Sequence, residues 1–337
     1  MKQLLLKLCR REDLTRDEAR EAFAAIMSGE AADAQIGGLL VGLAAKGSTV
    51  DELVGAAEVM REKVVPVAID QSTHPLLDTC GTGGDTRGTF NISTAAALIA
   101  AAAGARVVKH GNRSASSKTG SADVLEALGV KLDQSPTQAE ACMRSAGICF
   151  AFARSHHPAM KHVAAARTAL GIPTVFNLLG PLTNPARAQH QLLGVFSPEL
   201  TDRLAAVLRE LGSRRAWVVH ADDGLDELST LGPTRVSELH DGHVKTWSLD
   251  PSLLGFEHAR LSDLQTDSVA GSAAIITGIV DRKRGPARDI AVLNAAAGLV
   301  VLGLASSLPR AVEVCHAAID EGKARQTLDA LITASQS

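Results

Sequence analysis

The chain has 337 residues, enough for one large domain or two ordinary ones with an ample core. A formal charge of −3 without any long basic run excludes a global electrostatic drive toward nucleic acid. Aromatics at 3%, with no tyrosine, argue against a base-stacking platform, while the abundance of small aliphatic residues suits helices packed closely on a parallel sheet.

The first 65 or so residues read as helices only. Their opening stretch, MKQLLLKLCRRED, is too short in apolar residues for a signal peptide. Thr15 and Glu18 form a capping-box pattern ahead of Ala19, Ala22, Phe23, Ile26 and Met27 on one face. Ile36, Leu39, Leu40 and Leu43 repeat that spacing, and Thr49 with Glu52 opens a third helix. Three amphipathic helices with short connections predict a small helical unit, and residues 66–75 a linker. Beyond it strands and helices alternate: strands near 76–77, 106–109, 148–153 and 216–220, helices from about 94, around 122–128 and near 136–146, and a strand–helix pair over 191–211. Residues 236–249 read as short strands and turns, and helices near 289–304 and 311–321 close the chain. The expected fold is α/β: a small all-helical domain plus a larger domain with a mainly parallel sheet flanked by helices. Five cysteines without a CxxC pair predict reduced thiols, and no apolar run approaches membrane-spanning length, so the protein is expected to be soluble and cytoplasmic.

Four polar segments carry chemistry. Gly81-Thr82-Gly83-Gly84-Asp85 follows a predicted strand and precedes a helix, where backbone N–H groups can approach an anion. It lacks the Lys-Ser/Thr of a Walker loop and the spacing of a dinucleotide fingerprint, so it fits a different phosphate loop or a plain tight turn. Asn91-Ile92-Ser93-Thr94 reads as a helix cap whose hydroxyls also suit a phosphate or its metal. The run from Lys109 to Ser117 begins at the carboxyl end of a predicted inner strand, the place where open α/β sheets bind ligands. Asp222-Asp223-Gly224-Leu225-Asp226-Glu227 follows another strand, and adjacent carboxylates suit Mg²⁺ as well as a solvated turn. His156 and His157 read as loop or capping residues, and Arg167 as a helical arginine.

Taken together, these segments resemble the anthranilate phosphoribosyltransferase family. GTGGD at 81–85, NIST at 91–94, KHGNRSASS at 109–117, GSADVLEALG at 120–129, HHPAMKH at 156–162, FNLLGPLTNP at 176–185 and GLDELS at 224–229 stand in that family's order. The resemblance implies transfer of the phosphoribosyl group of phosphoribosyl pyrophosphate to the amine of anthranilate. It implies that Gly81, Gly84, Asp85, Thr89, Asn91, Ile92, Ser93 and Thr94 cradle phosphoribosyl pyrophosphate. Lys109, His110, Gly111, Asn112, Arg113, Ser114, Ala115, Ser116, Ser117 and Ser121 would share that task. Two Mg²⁺ ions would be held through Ser93, Asp226 and Glu227, and anthranilate would be met by Gly81, Asn112 and Arg167. No residue is implied as nucleophile or general base. The domains implied are 1–68 with about 155–185 as a small helical dimerisation domain, and 69–154 with 186–337 as the large one. A homodimer is expected, with neither nucleic acid nor membrane as partner. The sequence departs from the family pattern at Arg154-Ser155, where many relatives carry Pro-Leu, and at Ala165, where proline is common. A pyrimidine nucleoside phosphorylase, which lacks the paired-acid segment, and a non-enzymatic nucleic-acid-binding paralogue are the competing readings.

Overall fold

The computed structural model describes residues 1–72, 74–113, 119–256 and 259–337. The chain opens with four helices: α1 (Lys2–Cys9), α2 (Arg16–Met27), α3 (Asp33–Lys46) and α4 (Val50–Lys63). Both anticipated capping boxes form, Thr15 with Glu18 and Thr49 with Glu52, each satisfying two backbone N–H groups that the first turn leaves over. The sequence reading counted three helices here. The one it missed, α1, is eight residues long and has no side-chain cap; Leu4 and Leu8, one turn apart, bury it against α3.

The remaining elements alternate: β1 (Leu76–Gly81), α5 (Ile92–Ala102), β2 (Arg106–Gly111), α6 (Ser121–Ala127), α7 (Pro136–Ala146), β3 (Ile148–Phe152), α8 (Ala153–His156), α9 (Lys161–Leu170), α10 (Phe176–Leu179), β4 (His190–Gly194), α11 (Glu199–Glu210) and β5 (Arg215–Ala221). A hairpin, β6 (Thr234–His240) and β7 (His243–Leu249), leads to α12 (Val269–Val280), α13 (Pro286–Leu302), α14 (Leu308–Asp320) and α15 (Lys323–Gln336). The seven strands form one sheet in the order β3-β2-β1-β4-β5-β6-β7, the first five parallel and the last two antiparallel. Asp241 and Gly242 both take positive φ, the two-residue turn that matches strand twist, so the short strands expected over 236–249 resolve into a hairpin. Neither α12 nor α15 was anticipated; α12 is apolar on nearly every face and gives no period to read.

Alternate side chains of the central strands enter different cores. Leu192, Trp217 and Val219 face α5, α13 and the C-terminal helices, whereas Leu193, Ala216 and Val218 join the core shared by α11 and the N-terminal helices. Val163 and Ala166 of α9 and Phe176 of α10 belong to that second core, and α9 packs on α2 and α3. Arg61 of α4 ties the two parts by donating to the carbonyls of Leu182 (2.7 Å) and Leu211 (3.0 Å). Cys9 is exposed and the other four cysteines are buried, all as free thiols, and no helix among the described residues is long and apolar enough to cross a membrane.

Candidate active site

The sheet order places a switch point between β1 and β4: the chain leaves β1 toward β2 and β3, then returns to β4 on the other side. Both strands end in glycine, and Gly81 pairs with Gly194 across the ladder. The glycine loop turns outward from there. Gly83 and Gly84 adopt φ of 65° and 91°, conformations that side chains strain to reach. The loop is tied back to β4 by Thr82, whose N–H donates to the Gly194 carbonyl at 2.9 Å and whose hydroxyl accepts the Phe196 N–H at 3.2 Å. Asp85 accepts the Arg87 N–H at 3.2 Å, and Thr89 bridges to Gln265.

The cap of α5 is Asn91 rather than a hydroxyl residue. Its Oδ1 accepts the Thr94 N–H at 3.2 Å and also takes the Thr94 hydroxyl, so Thr94 is turned inward and Ile92 is buried apolar. The Ser93 hydroxyl is left free of the cap. Lys109, on β2, is only 1% exposed; its Nζ donates to the Thr79 carbonyl at 2.7 Å and to Ser93 Oγ at 3.0 Å. The lysine thus lies beneath the loop, not above it. Gly111 packs against Ser121, whose hydroxyl donates to the Asn112 carbonyl at 3.4 Å, and Asn112 itself is exposed. Arg113 is turned aside, bonded to Asp123 and Glu126 at 2.8 Å and stacked over Phe152. Ser114, Ala115, Ser116 and Ser117 lie outside the described residues.

The acidic segment after β5 divides in two. Asp222 is exposed and Asp223 is spent on the turn, accepting from Leu225 N–H and the Ser229 hydroxyl. Asp226 and Glu227, half-buried, turn toward the glycine loop. Asp226 Oδ2 accepts the Gly83 N–H at 3.0 Å, and Glu227 lies against the Ser93 N–H. Burial, together with the charge of Asp85, raises the Asp226 carboxyl to about 7. Burial raises Glu227 well above the usual range, with the Asp226 charge adding to it, and burial raises Asp85 as well. Crowded hard oxygens that resist ionisation are what a divalent cation relieves, so this donor set fits Mg²⁺. Among the described residues no three His, Cys, Asp or Glu side chains form a closed metal cage.

Three residues essential to this geometry were not singled out from the sequence. A Cβ on Gly194 would come within 1.5 Å of the Asp226 carbonyl oxygen, so the acid segment rests directly on the end of β4. Asn294 of α13, fully buried, accepts the Leu228 N–H at 3.0 Å and returns a bond to its carbonyl at 2.8 Å. Asp78 is a fully buried carboxylate on β1. Each had a faint signal: a polar residue within an apolar strand or helix, or a glycine closing one.

Arg167 lies on α9, half-buried, with its guanidinium over the Phe176 ring at 5.4 Å; burial lowers its pKa and no carboxylate pairs with it among the described residues. Among the described residues no hydrogen bond or ion pair joins it to the glycine loop. His156 closes α8 and His157 is its capping residue, as the sequence predicts, and both are buried. His156 Nδ1 donates to the Val65 carbonyl at 2.8 Å, and the His157 ring lies 5.1 Å from that of His110. Ser155 donates to Asp133 at 2.6 Å, and Ala165 is exposed on α9.

A bundle of helices beside an α/β sheet whose switch point gathers a glycine loop and paired acids defines a two-domain glycosyltransferase. Residues 2–64 match the family model for the helical bundle domain of a glycosyl transferase family, and residues 73–325 match that for its a/b domain. The anthranilate phosphoribosyltransferase of Thioalkalivibrio sulfidiphilus is 52% identical over 99% of this chain and 98% of its own length. That of Agrobacterium fabrum is 48% identical over 99% and 97%. The crystal structure of the Thermus thermophilus enzyme superposes with a TM-score of 0.92 at 41% identity, covering 99% of both chains. The Saccharomyces cerevisiae enzyme in complex with phosphoribosyl pyrophosphate and Mg gives 0.89 at 26% identity over 99% and 97%. The chain belongs to the anthranilate phosphoribosyltransferase family.

Proposed function

We propose that this chain transfers the 5-phosphoribosyl group of phosphoribosyl pyrophosphate to the amine of anthranilate. The products are N-(5-phosphoribosyl)anthranilate and pyrophosphate, the second step of tryptophan biosynthesis from chorismate. The observation that carries the reading is the meeting of the glycine loop, Ser93 and the Asp226–Glu227 pair at the carboxyl ends of adjacent strands, in a family whose yeast member binds phosphoribosyl pyrophosphate with Mg.

Backbone N–H groups of the glycine loop, now partly answered by Asp226, would pass to diphosphate oxygens. Ser93 and Glu227 would hold one Mg²⁺, Asp226 and Glu227 a second, and the ions would supply charge neutralisation at the leaving diphosphate. Arg167, which has no partner carboxylate among the described residues, would face the carboxylate of anthranilate, and Gly81 and Asn112 would flank the ring. The amine nitrogen then bonds to the anomeric carbon as the bond to the diphosphate oxygen breaks, and the nitrogen loses one proton. An aryl ammonium is strongly acidic, so no dedicated base is assigned. Stabilisation of the leaving diphosphate, with both substrates held in line, would supply the rate.

We read residues 1–68 with about 155–185 as the helical dimerisation domain, and 69–154 with 186–337 as the large one. Leu6 (43%) of α1 and Val41 (41%) of α3 are exposed apolar side chains on the helical part, where we place the contact of a homodimer. Light scattering on the purified protein should give twice the chain mass. The activity test is loss of anthranilate fluorescence with phosphoribosyl pyrophosphate, with and without Mg²⁺. Loss that requires Mg²⁺ is the expected result. Unchanged fluorescence together with phosphorolysis of thymidine would overturn the reading in favour of a nucleoside phosphorylase.

A further inference from the structure

Beneath the glycine loop lies a carboxylate that the chemistry above does not use. Asp78 sits on β1 between Leu77 and Thr79, fully buried, where an unpaired charge is strongly disfavoured. Its partners therefore indicate its purpose. The His110 N–H donates to Oδ1 at 3.1 Å, the Gln191 amide lies 3.5 Å from Oδ2, and the Asn184 amide and Lys109 ammonium complete its surroundings.

The β1–β2 ladder explains why side chains are needed there. The strands run to Gly81 and Gly111, yet only Leu76 with Arg106 and Leu77 with Val107 are paired. Above that level the strands stay side by side but form no ladder pairs, and backbone groups on both sides lose their ladder partners. Two side chains replace them. Asp78 takes the His110 N–H, and Lys109 serves the Thr79 carbonyl at 2.7 Å while its remaining protons reach Ser93 Oγ at 3.0 Å. Lys109 thereby joins β1 to the Ser93 hydroxyl at the start of α5.

We infer that Asp78 is a positioning residue for phosphoribosyl transfer: paired with Lys109, it replaces the missing upper part of the β1–β2 ladder and so fixes the Ser93 hydroxyl and the end of β2 from His110 to Asn112, against which the diphosphate binds. The inference rests on the functional reading above. A purely architectural role for the same carboxylate would affect both substrates alike and would not depend on Lys109.

The test is a double-mutant cycle on the full chain, with Asp78→Asn, Lys109→Met and both together. Phosphoribosyl pyrophosphate binding with Mg²⁺ is followed by calorimetry, and KM is measured for each substrate. Asp78→Asn should weaken phosphoribosyl pyrophosphate by about tenfold or more, as expected for a lost charge-assisted contact, and leave the anthranilate KM within about twofold. The double variant should match Lys109→Met within about twofold. If Asp78→Asn does not fold, the double variant, which buries no unpaired charge, carries the same comparison. Losses that multiply in the double variant, or an equal rise in both KM values, overturn the inference while leaving the function intact. A wild-type protein that binds no phosphoribosyl pyrophosphate removes the functional reading, and this inference with it.

Discussion

Gly194 lacks a side chain because another segment of the chain occupies that space. With the Asp226 carbonyl 1.5 Å from where a Cβ would stand, Gly194→Ala must displace the acid segment. A shift of about 1 Å there should lower kcat/KM by about a hundredfold, measured by anthranilate fluorescence at saturating Mg²⁺. Near-normal kinetics would mean that the segment need not rest on β4. Asp226→Asn and Glu227→Gln should each reduce turnover by about a hundredfold or more, and normal Mg²⁺-dependent rates in both would remove the metal assignment. At this scale the sequence reveals which residues gather but not which way they face. Lys109 and Arg113 stand in one polar run and read as equivalent cations. The structure buries the first under the loop and turns the second toward Asp123 and Glu126. Likewise the NIST segment does not disclose that Asn91 takes the cap and thereby frees Ser93. Orientation depends on partners distant in sequence, such as Thr79 for Lys109, and no local spacing encodes them.

Elements were legible where period and punctuation agree. Thr15 and Thr49 mark the starts of α2 and α4, and Ser135 with Pro136 marks that of α7. Where one signal fails, so does the reading: α1 is too short for a period and α12 too uniformly apolar. The Thr49–Glu52 box also conceals a second task. Glu52, 1% exposed, accepts the Leu14 N–H at 2.9 Å and the Thr49 N–H at 2.8 Å, and meets Lys46 at 3.0 Å. Glu52→Ala leaves a buried N–H and a nearly buried ammonium without this acceptor, and should cost about 3 kcal/mol in urea unfolding. A loss below about 1 kcal/mol, the value of an ordinary cap, would show that the buried pair adds nothing.

Across the whole molecule, the contact between the helical bundle and the sheet domain contains neutral histidines. Burial lowers His110 well below its ordinary value, with the charge of His157 adding to the shift, and burial together with the charge of His156 lowers His157 from 6.5 to about 4. Groups with depressed folded-state pKa values stabilise the fold above 6.5 and lose that contribution as pH falls toward 4. Asp78, raised by burial to about 6, acts in the opposite sense, its contribution being lost as pH rises through that value. The difference between proteins isolates the histidine: the Tm of His157→Asn should decline less than that of wild type between pH 6.5 and 4.5, and parallel curves would contradict the shift. The central claim is that loops from separate strands converge on one sugar diphosphate. A crystal of the protein soaked with phosphoribosyl pyrophosphate and Mg²⁺ tests it most directly. The ligand should lie against residues 81–94 and 109–113, with metal density beside Ser93, Asp226 and Glu227. Diphosphate density bound elsewhere, with those residues untouched, would contradict the account.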